Sequence, residues 1–156
     1  MQKISWSSLY GKIDVSIFYQ LEQTLGYELP NSLKVLYEAG DGPFAEDSGG
    51  RAPAYPLSHT RDSVDKNHGF ALSFFTICQS EKDEDLLCTY LDFSARFPEG
   101  FVPVARDGGG ELLLLRYKGR SVSVWHYCPS DRLGPSGPII RVADDFEQFL
   151  QKIEFF

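Results

Sequence analysis

The apolar positions of this chain fall into stretches of two different periods, separated by clusters of Gly and Pro. From Ile17 they recur at Phe18, Leu21 and Leu25, a helical stripe, and Gly26 stands where a left-handed C-terminal cap belongs. Leu29-Pro30-Asn31-Ser32 opens a second helix. Proline suits its first turn, Asn31 or Ser32 can accept a free amide, and Leu33, Leu36 and Tyr37 share a face until Gly40 ends it. So short a connection predicts an antiparallel helix pair on one shared core. Residues 41–67, rich in Gly, Pro, Ser and Asp, predict a long loop with a short strand near Ala54 to Leu57. Phe70 to Cys78 is aromatic and β-favouring, which suits a strand. Behind the acidic run Glu81-Lys82-Asp83-Glu84-Asp85, apolar residues at Leu86, Leu87, Tyr90 and Leu91 predict a third helix that ends before Pro98.

The second half changes period. Phe101-Val102-Pro103-Val104 is extended, and its proline is expected at a sheet edge or among a strand's first residues. Asp107-Gly108-Gly109-Gly110 turns into Glu111 to Tyr117, which is apolar on both faces and predicts a central strand. Lys118-Gly119-Arg120 turns again, and Ser121 to Cys128 alternates. Val122, Val124, His126 and Cys128 take one face, and Ser121, Ser123, Trp125 and Tyr127 take the other, so the two segments form a hairpin. After a Gly/Pro-rich loop from Pro129 to Pro138, Asp144 and Glu147 make a capping-box-like start to a last helix, buried through Phe146, Phe149, Leu150 and Ile153.

The length of 156 residues fits one domain, 1–156, able to bury roughly 70% of its unfolded surface. Hydrophobic residues at 42% and aromatics at 14% exclude disorder for most of the chain. The net charge of −7 has the wrong sign for gripping phosphate backbones, so no direct nucleic-acid binding is expected. It keeps the protein in solution or draws in a basic partner. Cys78, Cys88 and Cys128, odd in number and widely spaced, argue for a reducing compartment. Without an apolar run suited to a signal peptide or a membrane span, the expectation is a cytoplasmic protein with no membrane partner.

Candidate chemistry is sparse. The triple glycine leads into an apolar strand rather than a helix, so it is a tight turn and not a phosphate cradle. Among His59, His68, His126 and the cysteines only His126 and Cys128 lie close, and no second pair with metal-ligand spacing completes a site; no metal and no cofactor are expected. His126 is then a half-buried strand residue and the cysteines small hydrophobes. No Gly-x-Ser-x-Gly occurs, Ser48-Gly49-Gly50 lies in a loop, and Asp83/Asp85 and Asp144/Asp145 sit at helix starts, where capping and the dipole explain them. No catalytic residue is assigned, and the chain is not expected to be an enzyme.

The order of the pieces is more specific than any one of them. Leu25-Gly26-Tyr27-Glu28-Leu29-Pro30-Asn31-Ser32-Leu33 followed by Leu36-Tyr37-Glu38-Ala39-Gly40-Asp41-Gly42 resembles the opening signature of the SUKH superfamily. Arg96-Phe97-Pro98-Glu99-Gly100-Phe101-Val102-Pro103-Val104-Ala105, Asp107 to Glu111, Val122-x-Val124-Trp125 and Phe146-Glu147-Gln148-Phe149-Leu150 follow in that family's order, so the resemblance spans about residues 16–153. Ala39-Gly40-Asp41-Gly42 replaces the Asn-Gly-Gly of many members, and Gly110-Glu111 replaces Gly-Asp; both keep the turn chemistry. The resemblance implies a single α+β domain, with an N-terminal helix pair and a C-terminal helix packed on a twisted, mostly antiparallel sheet. It implies an immunity protein that binds a cognate toxin domain, expected to be basic and of nuclease type, and occludes its active site, as a monomer or weak homodimer. The alternative is a non-catalytic regulatory or scaffold protein of the cell-wall-regulator kind, and a third reading is a hydrolase using carboxylates and a divalent metal. On the immunity reading the candidate contacts are Asp41, Glu46 and Asp47 in the long loop, an exposed Tyr55, and Glu81, Asp83, Glu84 and Asp85 before the third helix. Pro30, Gly40, Pro103, Gly110 and Trp125 are expected to hold the fold.

Overall fold

The apolar run Leu112-Leu113-Leu114-Leu115 is buried on both of its faces, and a strand of that kind needs neighbours on either side and cover above and below. A computed structural model, which describes residues 4–45, 53–56, 67–69, 72–78, 85–106, 111–128 and 139–155, supplies them. In chain order the elements are β1 (Trp6–Ser7), α1 (Ser16–Leu25), α2 (Asn31–Leu36) continued by a 3-10 turn (Tyr37–Ala39), β2 (Phe44–Ala45), β3 (Pro53–Pro56), β4 (Asn67–Gly69) and β5 (Ser73–Phe74). Then come α3 (Leu86–Phe93), β6 (Phe101–Arg106), β7 (Leu112–Lys118), β8 (Ser121–Tyr127), β9 (Ile139–Ala143), α4 (Phe146–Gln151) and β10 (Glu154–Phe155). Among the described residues a seven-stranded sheet runs β1-β2-β5-β6-β7-β8-β9, every pair antiparallel, and a three-stranded sheet runs β10-β3-β4. The fold is α+β, with helices packed on an antiparallel sheet.

Register assigns the two faces of the large sheet. Leu113 pairs with His126 and Leu115 with Val124, while Leu114 pairs with Trp125 and Arg116 with Ser123. The His126 face is covered by α4: Phe149 lies 5.1 Å from Tyr55, and Phe146 lies 6.1 Å from Phe74. The stripes of α1 (Phe18, Leu21, Leu25) and α2 (Leu33, Leu36) are buried in the same core. The opposite face receives the end of α3, where Phe93 and Phe97 pack against Tyr127 and Phe101.

Capping chemistry fixes the helix ends. Gly26 takes φ 80° and its N–H donates to the Glu22 carbonyl, as the sequence predicts. Glu22 also bridges to the next helix: one carboxylate oxygen accepts from the Leu29 N–H at 2.7 Å, and Lys34 Nζ lies 3.0 Å away. At the start of α2 neither Asn31 nor Ser32 caps; the Pro30 carbonyl accepts from Leu33 and Lys34 instead. At α4 the cap is one residue later than the pattern predicts. Asp145 accepts from the Gln148 N–H at 2.8 Å, and Asp144 pairs with Arg141 at 3.0 Å.

β6 lies inside the sheet rather than at its edge, and Pro103 is its third residue. Proline is tolerated there since β5 pairs only with Ala105 and Arg106, leaving Pro103 with β7 alone, and a bulge falls between Pro103 and Ala105. The predicted strand over Phe70 to Cys78 shortens to β5, with Phe70 and Ala71 outside the described residues. The long loop carries the short strand predicted near Ala54 to Leu57, as β3, and the strands β2 and β4, which the periodicity does not reveal.

Candidate partner-binding surface

The residues expected to meet a partner separate into three groups. Glu46, Asp47, Glu81, Asp83 and Glu84, like the fold-motif Gly110, lie outside the described residues. Asp41, Tyr55 and Asp85 belong to the interior. Exposed carboxylates such as Glu38, Asp92 and Glu99 remain on the surface, beside a cluster of aromatic and cationic side chains.

Asp41 is fully buried, and its carboxylate is engaged by the backbone. One oxygen accepts from the N–H groups of Gly42 (3.0 Å) and Ile77 (2.8 Å), and the other from Cys78 (3.0 Å). The Ser8 hydroxyl reaches the Asp41 carbonyl. The side chain thus ties the turn after α2 to the segment behind β5 and offers nothing outward, which corrects its assignment as a contact. Burial is the main reason the Cys78 thiol and the Tyr37 hydroxyl ionise only at raised pH, and the Asp41 charge adds to both. Asp85 is the N-cap of α3, accepting from Cys88 N–H at 3.0 Å, and is only 8% exposed.

Tyr55, expected exposed, is wholly enclosed. Its hydroxyl lies 2.5 Å from His126 Nδ1, and the two rings meet edge to face. His126 is fully buried rather than half-buried, and its Nε2 stands 3.4 Å from Glu111 Oε1. With Tyr55 donating to Nδ1, the ring hydrogen lies on Nε2, on the side of the Glu111 carboxylate. A buried Tyr–His–Glu line of this kind braces β3, β8 and the start of β7. Alternation places His126 inward, but nothing in the loop sequence links Tyr55 to it.

The Trp125 face of the sheet is the feature that sequence reading passed over. Rings run Phe93, Phe97, Phe101, Trp125 with successive centroids 5.5, 6.2 and 6.0 Å apart. Three guanidinium groups lie on this run: Arg96 on Phe93 at 5.4 Å, Arg116 between Phe101 and Trp125 at 5.4 Å from each, and Arg141 on Trp125 at 5.9 Å. Arg141 is exposed, its side chain 52% accessible to solvent. The signal lies in the hairpin: its register pairs Arg116 with Ser123 and Leu114 with Trp125, which sets Arg116 diagonally across from the indole. Trp125, expected to hold the fold, is half-buried and belongs to this face.

A cleft of about 810 Å³ lies between the segment joining α1 to α2, the β7–β8 turn and the start of α4. Tyr27 stacks on Tyr117 there at 4.6 Å, and the Tyr117 hydroxyl donates to the Glu28 carbonyl. Burial and the charges of Glu22 and Glu28 raise the Tyr117 pKa, so the hydroxyl stays a donor through the physiological range. Among the described residues no three His, Cys, Asp or Glu side chains cluster as a metal would need. No described helix is long and apolar enough to cross a membrane.

The described fold thus combines helices on an antiparallel sheet, carboxylates used as internal caps, and a face of rings and guanidiniums. The SMI1 / KNR4 family (SUKH-1) matches residues 16–152, and the chain belongs to that family. Proteins of this family are in general non-catalytic, acting in immunity or regulation. No curated protein and no solved structure matches the chain.

Proposed function

We propose that this protein is an immunity protein that binds a cognate toxin domain in the cytoplasm of the producing cell and neutralises it by covering its active site. The family match over residues 16–152 carries this reading. The net charge of −7 supports a basic toxin, since an acidic protein attracts a domain built to handle nucleic acid and so hastens encounter. With Asp41 and Asp85 in the interior, that steering falls to other carboxylates.

Copurification with the toxin domain encoded beside the gene tests the pairing. Asp83→Lys with Glu84→Lys, leaving the Asp85 cap in place, is expected to slow association several-fold at low ionic strength. The difference should close as salt screens the field over about 10 Å at 0.1 M. Equal association rates for both proteins at low salt would contradict steering by this run.

A further inference from the structure

We propose that the Arg116–Trp125 face docks a carboxylate-bearing segment of a protein partner, which names the contact surface for the binding activity proposed above and rests on that reading for the partner's identity. Arg116 lies 5.4 Å from both the Phe101 and Trp125 rings, and it makes no ion pair or hydrogen bond with its side chain among the described residues. A guanidinium fixed over aromatic faces keeps its N–H donors at its edge, in the fork that a carboxylate accepts bidentately. Because the rings already hold the side chain, little rotamer freedom is lost on binding. Arg141 adds a second guanidinium over the same indole; its partner Asp144 is 74% exposed and free to exchange partners.

Arg and Trp in a partly desolvated cluster are the composition of interface hot spots. Charge decides the occupant. A polyanion meets the whole field of a protein of net charge −7, whereas a short segment with one or two carboxylates meets the local guanidiniums, other charges being screened beyond about 10 Å. A basic toxin domain that carries acidic active-site residues satisfies both the long-range and the local requirement.

The full-length isotope-labelled protein is titrated with a blocked Gly-Asp-Glu-Gly peptide, the matching Gly-Asn-Gln-Gly peptide and oligothymidylate, reading the Arg Nε–H and Trp indole N–H resonances. The acidic peptide should shift Arg116 and Trp125 saturably, with a dissociation constant on the order of millimolar. The amide peptide should not. Arg116→Gln should weaken this at least about tenfold, while Arg116→Lys, keeping charge without the fork, should lose less. Arg141→Gln serves the same purpose should Arg116→Gln fail to fold. Equal shifts with the amide peptide, a preference for oligothymidylate, or no saturable shift would overturn the proposal. In the toxin complex Arg116→Gln should also weaken affinity about tenfold; unchanged affinity would overturn this face while leaving the immunity reading intact. Absence of any toxin complex would overturn that reading and leave the peptide titration to decide the face.

Discussion

Asp41→Ala is expected to lower stability by roughly 3 kcal/mol or more, and the thermal midpoint by about 10 °C, without any direct loss of a partner contact. Three backbone N–H groups, of Gly42, Ile77 and Cys78, point at this carboxylate from within 3.0 Å. Alanine leaves all three without their acceptor in a place closed to bulk water, and each such group costs about 1–3 kcal/mol. Relaxation and entering water return part of that, which sets the figure below the sum. Asp41→Asn keeps one acceptor oxygen and introduces an amide that faces donors, so it should recover less than half of the loss. Urea denaturation followed by circular dichroism measures both variants. An Asp41→Ala protein as stable as the parent would mean the carboxylate does not organise this corner.

Gly40→Ala is the second large effect, about 2–4 kcal/mol, and it acts on the same corner. Gly40 has φ 129°, which L side chains rarely adopt, and a Cβ there would meet Ser8 Cβ, Ser8 Oγ and the Tyr10 carbonyl, each at 2.7 Å. Two of those atoms belong to Ser8, whose hydroxyl holds the Asp41 carbonyl, so the clash propagates to the carboxylate's own anchoring. Gly26→Ala is the control: φ is 80° but nothing lies within 4 Å of the added Cβ, so only the backbone term of about 1 kcal/mol remains. Denaturant melts of the two variants side by side check this. Equal losses would show that crowding at Gly40 is relieved. Combined with Asp41→Ala, Gly40→Ala should fall short of additivity, because both loosen the same corner.

Legibility in the sequence follows the range of the interactions. The stripes of α1 and α4, the Gly26 cap and the β7–β8 hairpin are encoded by neighbours a few residues apart, and the chain displays them as period and punctuation. β9 is readable in principle, since Ile140 and Val142 are buried on either side of an exposed Arg141, but proximity to the Gly/Pro-rich loop hid it. β1, β2 and β10 are two residues each, and no periodicity can be expressed in so short a run. They exist because partners distant in sequence complete their hydrogen bonds. The site failed for the same reason. Asp41 sits in a polar loop and looks exposed, yet its acceptors are filled by residues more than thirty positions away. Tyr55 meets His126 across a separation of 71 residues. Acidic residues stand out by their sign alone, whereas Arg116 and Trp125, each ordinary in its own strand, become notable only when register sets them together.

Toxin neutralisation by binding is the role proposed for this member of the SMI1 / KNR4 family. Its most direct test is titration of the purified protein into an activity assay of the toxin domain encoded beside it, with co-expression in parallel. Toxin activity should fall linearly to its floor near equimolar protein, and cells carrying both genes should survive. Full toxin activity at a large excess of this protein, with unchanged killing on co-expression, would contradict it.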